Sequence, residues 1–483
     1  MNTPSRPRAT KIICTIGPAT DTSDMLGQLI EAGANVFRLN MSHSKHDWVR
    51  EVVFRIRRKA AELEANVAIL FDLQGPSIRT GDLAEPYHLK KGDTVEIRLG
   101  TAKPELPFST TVNYDGLLQD VQAGHTMVVD NGGILMRIAE VRPDRLICDV
   151  LTEGVFGSRR HINLPGVALR LPALTEKDLA DLAVAVECET DYVAMSFVRD
   201  AAHIAQLREH IDNLGGKAQI VAKIEDQQAV RHIDDIILAA DVIMVARGDL
   251  GIEVSIEELP IIQRRIVRHC HRLGRRCIVA THMLESMITH VRPTRAEITD
   301  VANAIYDGTS AIMLSGETAA GKHPVEAVRT MALIAETTEN DINYANRLKS
   351  RPDDKDNNIT NAISHAACTT AHDLGAKAIV TVTKTGGTAK MLSKFRPSCP
   401  IIGCTPTVCR QMNLSWGVTP LMMDEKSSTD ELLDGAIDAA VEHGLLKEGD
   451  VTVITAGIPL GVSGNTNMLK VTTVGNKSET HIK

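Results

Sequence analysis

The segment QIVAKIEDQQAVRHIDDIILAADVIMVARGDLG, residues 219–251, contains two apolar, β-branched runs with an amphipathic stretch between them. Its first run ends in Lys223 and Glu225, and its second run ends in Gly248 and Asp249. This alternation is the pattern of a βαβ unit in a parallel sheet. The segment therefore predicts two neighbouring parallel strands whose charged carboxyl ends lie side by side.

The same alternation of strand and helix extends along most of the chain. The predicted strands are Lys11–Gly17, Asn35–Ser42, Val67–Leu73, Tyr192–Phe197, Gln219–Glu225, Val242–Asp249, Cys277–Met283 and Ser310–Glu317. Eight parallel strands, each followed by a helix, predict an α/β fold of the (β/α)8 TIM-barrel type. The active site of such a barrel lies at the carboxyl ends of its strands.

Two other parts of the chain depart from this pattern. Residues 75–171 have short alternating runs with Gly-Asp and Asn-Gly turns, which predicts an inserted all-β domain that acts as a lid. A polar linker, RLKSRPDDKDNN at 347–358, follows an eighth helix expected from Pro324 to about Tyr344, and the αβ alternation resumes at Ile359. We predict a barrel domain at 1–74 and 172–346, a lid at 75–171 and a C-terminal αβ domain at 347–483.

Composition excludes several classes of protein. The 483 residues carry 53 Lys and Arg against 61 Asp and Glu, a net charge of −8, and only 3% of them are aromatic. The chain therefore lacks the net positive charge that attracts nucleic acid or an anionic membrane, and it has few aromatic side chains on which bases could stack. The nine cysteines include no CxxC pair, which favours reduced thiols over disulfides or a zinc site. No apolar run is long enough to span a membrane and the N-terminus lacks a signal peptide, so we expect a cytoplasmic protein.

If the barrel is correct, its strands deliver polar and charged side chains to one rim. These residues are Arg38, Asn40, Ser42, His43, Asp72, Lys223, Glu225, Arg247, Gly248, Asp249, Thr281, Ser315 and Glu317. A single such residue is commonly part of a structural network at the rim. The convergence of many ions from strands that are distant in sequence instead indicates an active site.

The types of ion in this set indicate a reaction. Glu225 and Asp249 offer hard oxygen ligands to one Mg²⁺ or Mn²⁺, although two carboxylates in salt bridges at the rim remain the alternative. Lys223 lies two residues before Glu225 and shares its face of the strand, so it places a cation beside the metal. Further donors suited to phosphate are Arg38, Arg79 and Lys177. A metal, cations and a closable lid favour phosphoryl transfer, and the sequence has no GxSxG, GxxxxGK[ST] or strand-following GxGxxG motif.

At these residues the sequence resembles the pyruvate kinase family, from about Thr10 to the C-terminus. The segments that carry the resemblance are TKIICTIGPAT (10–20), FRLNMSHS (37–44), FDLQGPSIRTG (71–81), LPALTEKDL (171–179), AKIEDQQAV (222–230), MVARGDLGIE (244–253), ATHMLESM (280–287) and AIMLSGETAAGKHPVEAV (311–328). The resemblance implies transfer of the phosphoryl group of phosphoenolpyruvate to ADP, which gives ATP and pyruvate in the last step of glycolysis. It also implies a homotetramer that is regulated through the C-terminal domain.

The resemblance assigns roles to individual residues. Lys223 and Arg38 would contact the phosphoryl group, while Glu225 and Asp249 hold the divalent metal. The amides of Gly248 and Asp249 with Thr281 would bind the substrate carboxylate. Candidates for the proton path to the enolate are Thr281 and Ser315 with bound water. The nucleotide would face His43, Arg79 and Lys177.

A monovalent-cation site is also implied, at Asn40, Ser42, Asp72 and the carbonyl of Leu73, and it holds K⁺ in many members of the family. Leu73 and Gln74 replace the usual Thr-Lys pair in this chain. Ser77 stands where K⁺-dependent members carry Glu and many K⁺-independent members carry Lys. We therefore expect the K⁺ dependence to be weak or absent.

The loop TKTGGTAK, residues 383–390, opens a helix in the C-terminal domain, so its hydroxyls and amides could bind a phosphate. By resemblance it is the effector site for a sugar phosphate or a nucleotide, completed by GVSGNTN at 461–467. The effector residues would be Thr383, Lys384, Thr385, Gly386, Gly387 and Thr388. The alternative is an ordinary turn between a strand and a helix.

Two other functions compete with a kinase. One is a metal-dependent aldolase or lyase of the pyruvate-binding barrel type, against which Lys223, Arg79 and the long β insertion argue. The other is a metabolite-binding homologue without catalysis, against which the presence of Lys223, Glu225, Asp249, Thr281 and Arg38 argues.

Overall fold

The computed structural model describes residues 7–349, 358–426, 428–459 and 464–475. The chain starts with the first three strands of a barrel and the two helices that connect them. These elements are β1 (Lys11–Ile16), α1 (Ser23–Glu31), β2 (Val36–Asn40), α2 (His46–Glu62) and β3 (Ala68–Asp72). Every residue of β1 and β3 is buried, as expected for parallel strands that are covered by helices.

The segment after β3 forms the predicted β insertion, with one short helix in it. Its elements are β4 (Tyr87–Leu89), β5 (Thr94–Arg98), β6 (Ser109–Thr111), α3 (Leu117–Asp120), β7 (Thr126–Val129), β8 (Ile134–Val141), β9 (Arg145–Val150), β10 (Gly154–Phe156) and β11 (Ile162–Asn163). Six of these strands form a sheet in the order β11-β7-β8-β9-β5-β6, and β10 pairs with β4. The insertion has a hydrophobic core of its own, which includes Val95, Met136 and Phe156.

The chain then returns to complete the barrel. The elements are α4 (Glu176–Glu187), β12 (Tyr192–Met195), α5 (Ala201–Asn213), β13 (Gln219–Ile224), α6 (Gln227–Arg231), α7 (Ile233–Ala239), β14 (Val242–Ala246), α8 (Arg247–Glu253), α9 (Leu259–Arg272), β15 (Arg276–Ala280), α10 (Arg295–Asp307), β16 (Ala311–Leu314), α11 (Gly316–Ala319), α12 (Pro324–Asp341) and α13 (Tyr344–Lys349). The closed order β1-β16-β15-β14-β13-β12-β3-β2 confirms the predicted barrel.

The barrel strands end earlier than the sequence predicted. β14 ends at Ala246, and Asp249 lies in the first turn of α8 because the chain passes from the strand directly into a helix. In the same way Glu225 follows β13 and Ser315 follows β16. These three side chains therefore stand just beyond the strand ends, whereas Arg38, Asp72 and Lys223 lie within β2, β3 and β13.

The end of the barrel domain also differs from the prediction. The helix expected to reach about Tyr344 ends at Asp341, and a separate helix, α13, takes in the first three residues of the predicted linker. The next linker residues, 350–357, lie outside the described residues. The domain limits 1–74, 75–171, 172–346 and 347–483 stay predictions.

The C-terminal part forms a five-stranded sheet with helices. Its elements are α14 (Ile359–Asp373), β17 (Ala378–Val382), α15 (Gly387–Lys394), β18 (Ile401–Thr405), β19 (Val418–Met422), α16 (Thr429–Glu442), β20 (Val451–Ala456) and β21 (Met468–Thr473). The strand order is β19-β18-β17-β20-β21, and only the β20-β21 pair is antiparallel. This arrangement confirms the predicted C-terminal αβ domain.

The C-terminal domain packs against the amino-terminal end of the barrel. Asp191, just before β12, pairs with Arg410 at 2.9 Å, and the ammonium of Lys11 donates to the carbonyl of Val418 at 2.7 Å. Both barrel residues lie at the starts of strands. The C-terminal domain is therefore at the end of the barrel opposite the candidate active site.

The nine cysteines are free thiols, and all but Cys188 are buried. None of the described helices has the length and apolar character needed to cross a membrane.

Candidate active site

Lys223 occupies the centre of the rim at the carboxyl ends of the barrel strands. Its ammonium lies 2.7 Å from Oγ of Ser196, 2.9 Å from Oε1 of Glu225 and 3.3 Å from Oδ1 of Asp72. Burial alone lowers the pKa of Lys223, but the carboxylates of Asp72 and Glu225 outweigh it and raise this pKa above its usual value. Lys223 is therefore a fixed cation, and its side chain is only 12% exposed.

Arg38, on β2, brings a second cation beside Lys223. Its Nε donates to Oδ2 of Asp72 at 2.6 Å, and its Nη1 donates to Oγ1 of Thr15 at 3.0 Å. Burial acts to raise the pKa of Asp72, yet Lys223 and Arg38 hold it below the usual value. One buried carboxylate thus orients two cations, and paired cations of this kind suit a phosphoryl group.

Glu225 and Asp249 supply the carboxylates predicted for a divalent metal. Oε2 of Glu225 accepts the amide of Phe197 at 2.7 Å, a residue held in the left-handed region at φ 54°. Burial raises the pKa of Glu225 to about 7, and the charge of Asp249 acts in the same direction against the opposing effect of Lys223. A buried carboxylate beside a second one is stabilised by a cation, so the donor set fits Mg²⁺ or Mn²⁺.

The protein ligands at this place are few. Among the described residues there is no group of three or more His, Cys, Asp or Glu side chains that could hold a metal ion. Two carboxylates would leave most coordination positions to water and substrate oxygens, which is the usual mode of binding for Mg²⁺.

Thr281 lies against the start of α8 in a strained conformation. Its φ is 68°, and that of His282 is 53°, although a β-branched residue is disfavoured in the left-handed region. Oγ1 of Thr281 accepts the amide of Gly248 at 2.7 Å. The hydroxyl and the start of α8 are thereby brought to the place where the sequence predicted binding of a carboxylate.

A clamp that the sequence did not indicate holds this strained turn. Nη2 of Arg247 donates to the carbonyl of Thr281 at 2.7 Å and to that of His282 at 3.2 Å. Nη1 of Arg247 pairs with both carboxylate oxygens of Asp300, on α10, at 2.7 and 2.8 Å. Arg247 was grouped with the rim ions, but in the structure it fixes the backbone after β15.

Ser315 follows β16 and carries a hydroxyl with no hydrogen-bond partner among the described residues, although the atom is buried. Its amide donates to Oε2 of Glu317 at 2.7 Å, and Oε1 of Glu317 accepts the amide of Leu284 at 3.0 Å. Glu317 therefore joins the turns after β15 and β16. The Ser315 hydroxyl remains available for a substrate or a water molecule.

The predicted nucleotide residues lie around the rim, with Lys177 in the first turn of α4 and His43 on the turn after β2. Lys177 donates to the carbonyl of Met41 at 2.8 Å and to Asp181 at 2.6 Å, which places it beside the loop that carries the exposed His43. Arg79 is in the segment that enters the β insertion, where its Nε donates to Oγ of Ser77 at 3.2 Å. Ser77, which replaces the family's charged residue, therefore holds Arg79.

The predicted monovalent-cation oxygens are adjacent, because Asn40 and Asp72 pair across β2 and β3. Oδ1 of Asn40 accepts the amide of Ser42 at 3.2 Å, and the carbonyl of Leu73 accepts Oγ of Ser196 at 2.8 Å. These two oxygens already have protein donors, whereas Oδ1 of Asp72 is buried without a hydrogen-bond partner among the described residues, 3.3 Å from the Lys223 ammonium. A monovalent cation would therefore share the oxygens of Asn40 and Leu73 with the protein's own donors.

The β insertion covers this rim of the barrel. The His161 ring lies 5.9 Å from the Phe197 ring, and Nδ2 of Asn163 donates to Oε1 of Glu253 at 3.1 Å. Between the insertion and the barrel lies a cavity of about 270 Å³, with Glu225 in its wall. The insertion therefore has the position of a lid.

Ser196 is the main residue of the site that sequence reasoning missed. It accepts a hydrogen bond from Lys223 and donates one to the carbonyl of Leu73. Ser196 therefore links the active-site lysine to an oxygen of the predicted monovalent-cation site. Its position just after the apolar run YVAM of β12 could have indicated a residue of the site. Asp300 gave no such signal, because it comes from a helix rather than from a strand end.

In the C-terminal domain, a cavity of about 960 Å³ opens at the predicted effector loop. Its walls include Thr383, Lys384, Thr385, Gly387 and Thr388, but Gly386 lines a different cavity. Of the loop 461–467, residues 461–463 lie outside the described residues, while Thr466 bonds to Thr388 through their hydroxyls at 2.7 Å. The acidic residues Asp424 and Glu425 lie in the same wall.

Comparison with known proteins agrees with this architecture. The family model described as pyruvate kinase, barrel domain, matches residues 7–328, and that described as pyruvate kinase, alpha/beta domain, matches residues 361–472. A pyruvate kinase of Clostridium acetobutylicum is 43% identical over 96% of this chain and 99% of its own length. One from Geobacillus stearothermophilus is 44% identical over 96% of this chain and 80% of its own.

A solved structure gives the same result. The crystal structure of a pyruvate kinase from Cryptosporidium parvum superposes with a TM-score of 0.91, at 35% identity, over 96% of both chains. The resemblance seen in the sequence is thereby confirmed: the chain belongs to the pyruvate kinase family, the phosphotransferases of glycolysis.

Proposed function

We propose that the protein transfers the phosphoryl group of phosphoenolpyruvate to ADP and releases pyruvate and ATP. The observation that carries this proposal is the cluster of Lys223 and Arg38 around the buried Asp72, next to the carboxylates of Glu225 and Asp249. Phosphoryl transfer depends mainly on positioning and on stabilisation of negative charge. Two oriented cations beside a metal-binding pair of carboxylates supply both.

In this reaction the bond between phosphorus and the enol oxygen breaks, and a bond to an oxygen of the ADP β-phosphate forms. Lys223 and Arg38 neutralise the oxygens of the phosphoryl group as it moves. A divalent ion on Glu225 and Asp249, when bound, supplies positive charge to the phosphate and the enolate. Thr281 with the start of α8 holds the carboxylate, which fixes the direction of the substrate.

The enolate that remains takes up a proton at its methylene carbon. We assign the Ser315 hydroxyl to ordering the water that delivers this proton, and its lack of a partner among the described residues supports this role. Thr281 shares this role through its hydroxyl. On the nucleotide side, Lys177, Arg79 and His43 bind the phosphates of ADP.

Pyruvate kinases generally use a divalent metal and K⁺. In this chain we expect activity with weak or no dependence on K⁺, since Ser77 provides neither a carboxylate that attracts K⁺ nor an ammonium that replaces it. The described oxygens of Asn40 and Leu73 also have protein donors already. Measuring the rate over a range of K⁺ at constant ionic strength tests this expectation, and a rate that rises from zero with K⁺ would refute it.

The cavity at residues 383–388 supports regulation by a phosphorylated effector, in a homotetramer as is usual for the family. The loop supplies three hydroxyls, one lysine and the start of α15, which together suit a phosphate group. The cytoplasmic location expected from the sequence remains a prediction.

The test is the initial rate of pyruvate formation from phosphoenolpyruvate and ADP with Mg²⁺, with and without K⁺. Formation of pyruvate together with an equal amount of ATP supports the kinase. Pyruvate formed from a larger substrate without ATP would favour the lyase, and substrate binding without turnover would favour a homologue that has lost catalysis.

A further inference from the structure

A small cavity lies between the amino-terminal end of the barrel and the C-terminal domain, far from the active-site rim. Its volume is about 140 Å³. The barrel contributes Gln219, Asp241 and Arg276, and the C-terminal domain contributes Gly386, Gly387 and Lys390 to its walls. Thr385, Gly387 and Lys390 line both this cavity and the cavity of about 960 Å³ at the effector loop, whereas none of the three barrel residues lines the larger one.

Arg276 is the central cation of this cavity. It is 5% exposed, and no carboxylate among the described residues lies within ion-pair distance of it. Its Nη atoms donate to neutral oxygens, those of the Gln219 side chain at 2.6 Å and of the Gln411 backbone at 3.0 Å. Its Nε has no acceptor among the described residues. A buried guanidinium without a counter-ion is costly, so the place favours an anion.

The other walls add positive charge. Burial, with the charges of Arg276 and Arg275, lowers the pKa of Lys390 to about 8. Helix α15 starts here after Gly386, at φ 77°, with no side chain to accept its first amides. The one acid in the wall, Asp241, is engaged by Arg208 at 2.6 Å and by the amide of Ile220 at 2.9 Å.

We propose that this cavity binds a small phosphate-type oxyanion, held by Arg276 on the barrel side and by Lys390 on the side of the C-terminal domain. A volume of about 140 Å³ accommodates a tetrahedral ion with ordered water. It is smaller than the ~300 Å³ or more of pockets that enclose whole organic ligands, so the free ion fits better than a nucleotide.

The position gives the ion a structural consequence. Gln219 begins β13, which carries Lys223, and Arg276 begins β15, which leads to Thr281. The helix on the other side, α15, belongs to the predicted effector loop. An oxyanion in the cavity therefore bridges the two domains at the base of the strands that carry the active site.

The experiment locates the ion directly. Crystals of the full chain are soaked in selenate at millimolar concentration, and the anomalous signal of selenium shows which cavities hold it. We expect a peak within hydrogen-bond distance of Arg276, which inorganic phosphate then displaces. Displacement by glycerol phosphate as well would identify the phosphate group of an organic ester as an equal source, whereas failure of the ester to displace it would identify the free ion.

Variants separate this site from the effector cavity. Arg276→Gln should weaken binding of selenate in the small cavity by about tenfold or more. Lys384→Gln, which alters the effector cavity alone, should leave that peak unchanged. If Arg276→Gln does not fold, Arg276→Lys, which keeps the charge but loses the planar fork of donors, is expected to weaken the peak severalfold.

The proposal fails if the effector cavity fills with selenate while the small cavity stays empty. It also fails if the peak is equally strong in Arg276→Gln, which would mark an adventitious ion only. Because both measurements report binding, neither outcome depends on whether the protein has kinase activity.

Discussion

Lys223 shows how one buried cation depends on its neighbours. Asp72 and Glu225 keep it charged, and Ser196 fixes the direction of its ammonium. The same carboxylate, Asp72, holds Arg38. Both cations therefore share Asp72, while Glu225 and Ser196 hold Lys223 and Thr15 holds Arg38. Substitutions in this group should change the rate and the stability to different extents.

Replacing Lys223 by Met should lower kcat by a factor of about 10² to 10³ or more, since loss of one preorganised group costs about 3 to 4 kcal/mol of barrier. The buried carboxylates also lose their counter-ion, so the free energy of unfolding should fall by several kcal/mol, about 3 to 5. Steady-state rates and urea unfolding measure the two effects.

A matched control for this variant is Lys177→Met. This lysine is 44% exposed and pairs with Asp181 at the rim. We expect it to raise the KM for ADP with a smaller loss of stability than in Lys223→Met, because the buried Asp181 keeps His46 as a second partner at 2.7 Å. A Lys223→Met protein with the rate of the wild type would contradict the role assigned to Lys223.

Ser196→Ala should reduce kcat by about tenfold, because removal of one hydrogen bond to a charged group costs about 1.5 kcal/mol. Ser393→Ala is the control, since Ser393 is also buried and donates to a backbone carbonyl, that of Trp416, at 2.8 Å. An equal loss of rate in both variants would mean that Ser196 acts only through stability.

The turn after β15 shows how an element is held in an unfavourable conformation. Thr281 and His282 adopt left-handed backbone angles, and the guanidinium of Arg247 binds both of their carbonyls. Asp300 on α10 holds this guanidinium. The geometry of the turn proposed to bind the substrate carboxylate therefore depends on a residue of α10.

Asp300→Asn should weaken the clamp and raise the KM for phosphoenolpyruvate by about threefold to tenfold, with a smaller change in kcat. Asp307→Asn, on the same helix, is the control because Asp307 pairs with Arg264 on the outer surface at 2.8 Å. Steady-state kinetics of the two variants test this. A KM unchanged in Asp300→Asn would show that the turn keeps its shape without the clamp.

The contact between the lid and α8 should depend on pH through Glu253. Burial raises the pKa of Glu253 from 4.5 to about 7. The folded chain then binds more protons than the unfolded chain between these values, so this residue's contribution to stability is lost as the pH rises from about 4.5 to about 7.

Glu253→Gln removes this dependence. Relative to the wild type, we expect little change in stability near pH 4.5 and a gain of about 1 to 2 kcal/mol near pH 8, where the wild type carries a buried charge. Thermal unfolding at the two pH values measures the difference, with Glu257→Gln as an exposed control. A gain in stability that is equal at the two pH values would refute the raised pKa assigned to Glu253.

For the whole molecule, the sequence predicted those features of the fold that depend on the periodic spacing of apolar residues. The barrel and the C-terminal sheet followed from the alternation of strands and helices, and the β insertion followed from short alternating runs between turns. Lys223 and Glu225 were predicted together because a two-residue spacing puts them on one face of an extended strand, although Glu225 is the residue just after β13. Asp249 was predicted at the end of a strand but lies in α8. The prediction failed there because α8 follows β14 without loop residues that would mark the end of the strand.

Features that depend on packing between distant elements were not predictable in this way. The clamp on Arg247 comes from a helix 53 residues further along the chain. The cavity at Arg276 exists only because the C-terminal domain docks on the amino-terminal end of the barrel. Gly386 faces that cavity rather than the effector cavity, and no pattern along the loop distinguished the two sides.

The most direct test of the central claim follows the phosphorus atom itself. Phosphoenolpyruvate, ADP and Mg²⁺ are mixed with the full chain, and ³¹P NMR records where the phosphorus appears. We predict that the signal of phosphoenolpyruvate is replaced by that of the γ-phosphate of ATP, and that folded Lys223→Met does this far more slowly. Phosphorus that appears as inorganic phosphate, or that stays in phosphoenolpyruvate with the wild-type protein, would contradict the account.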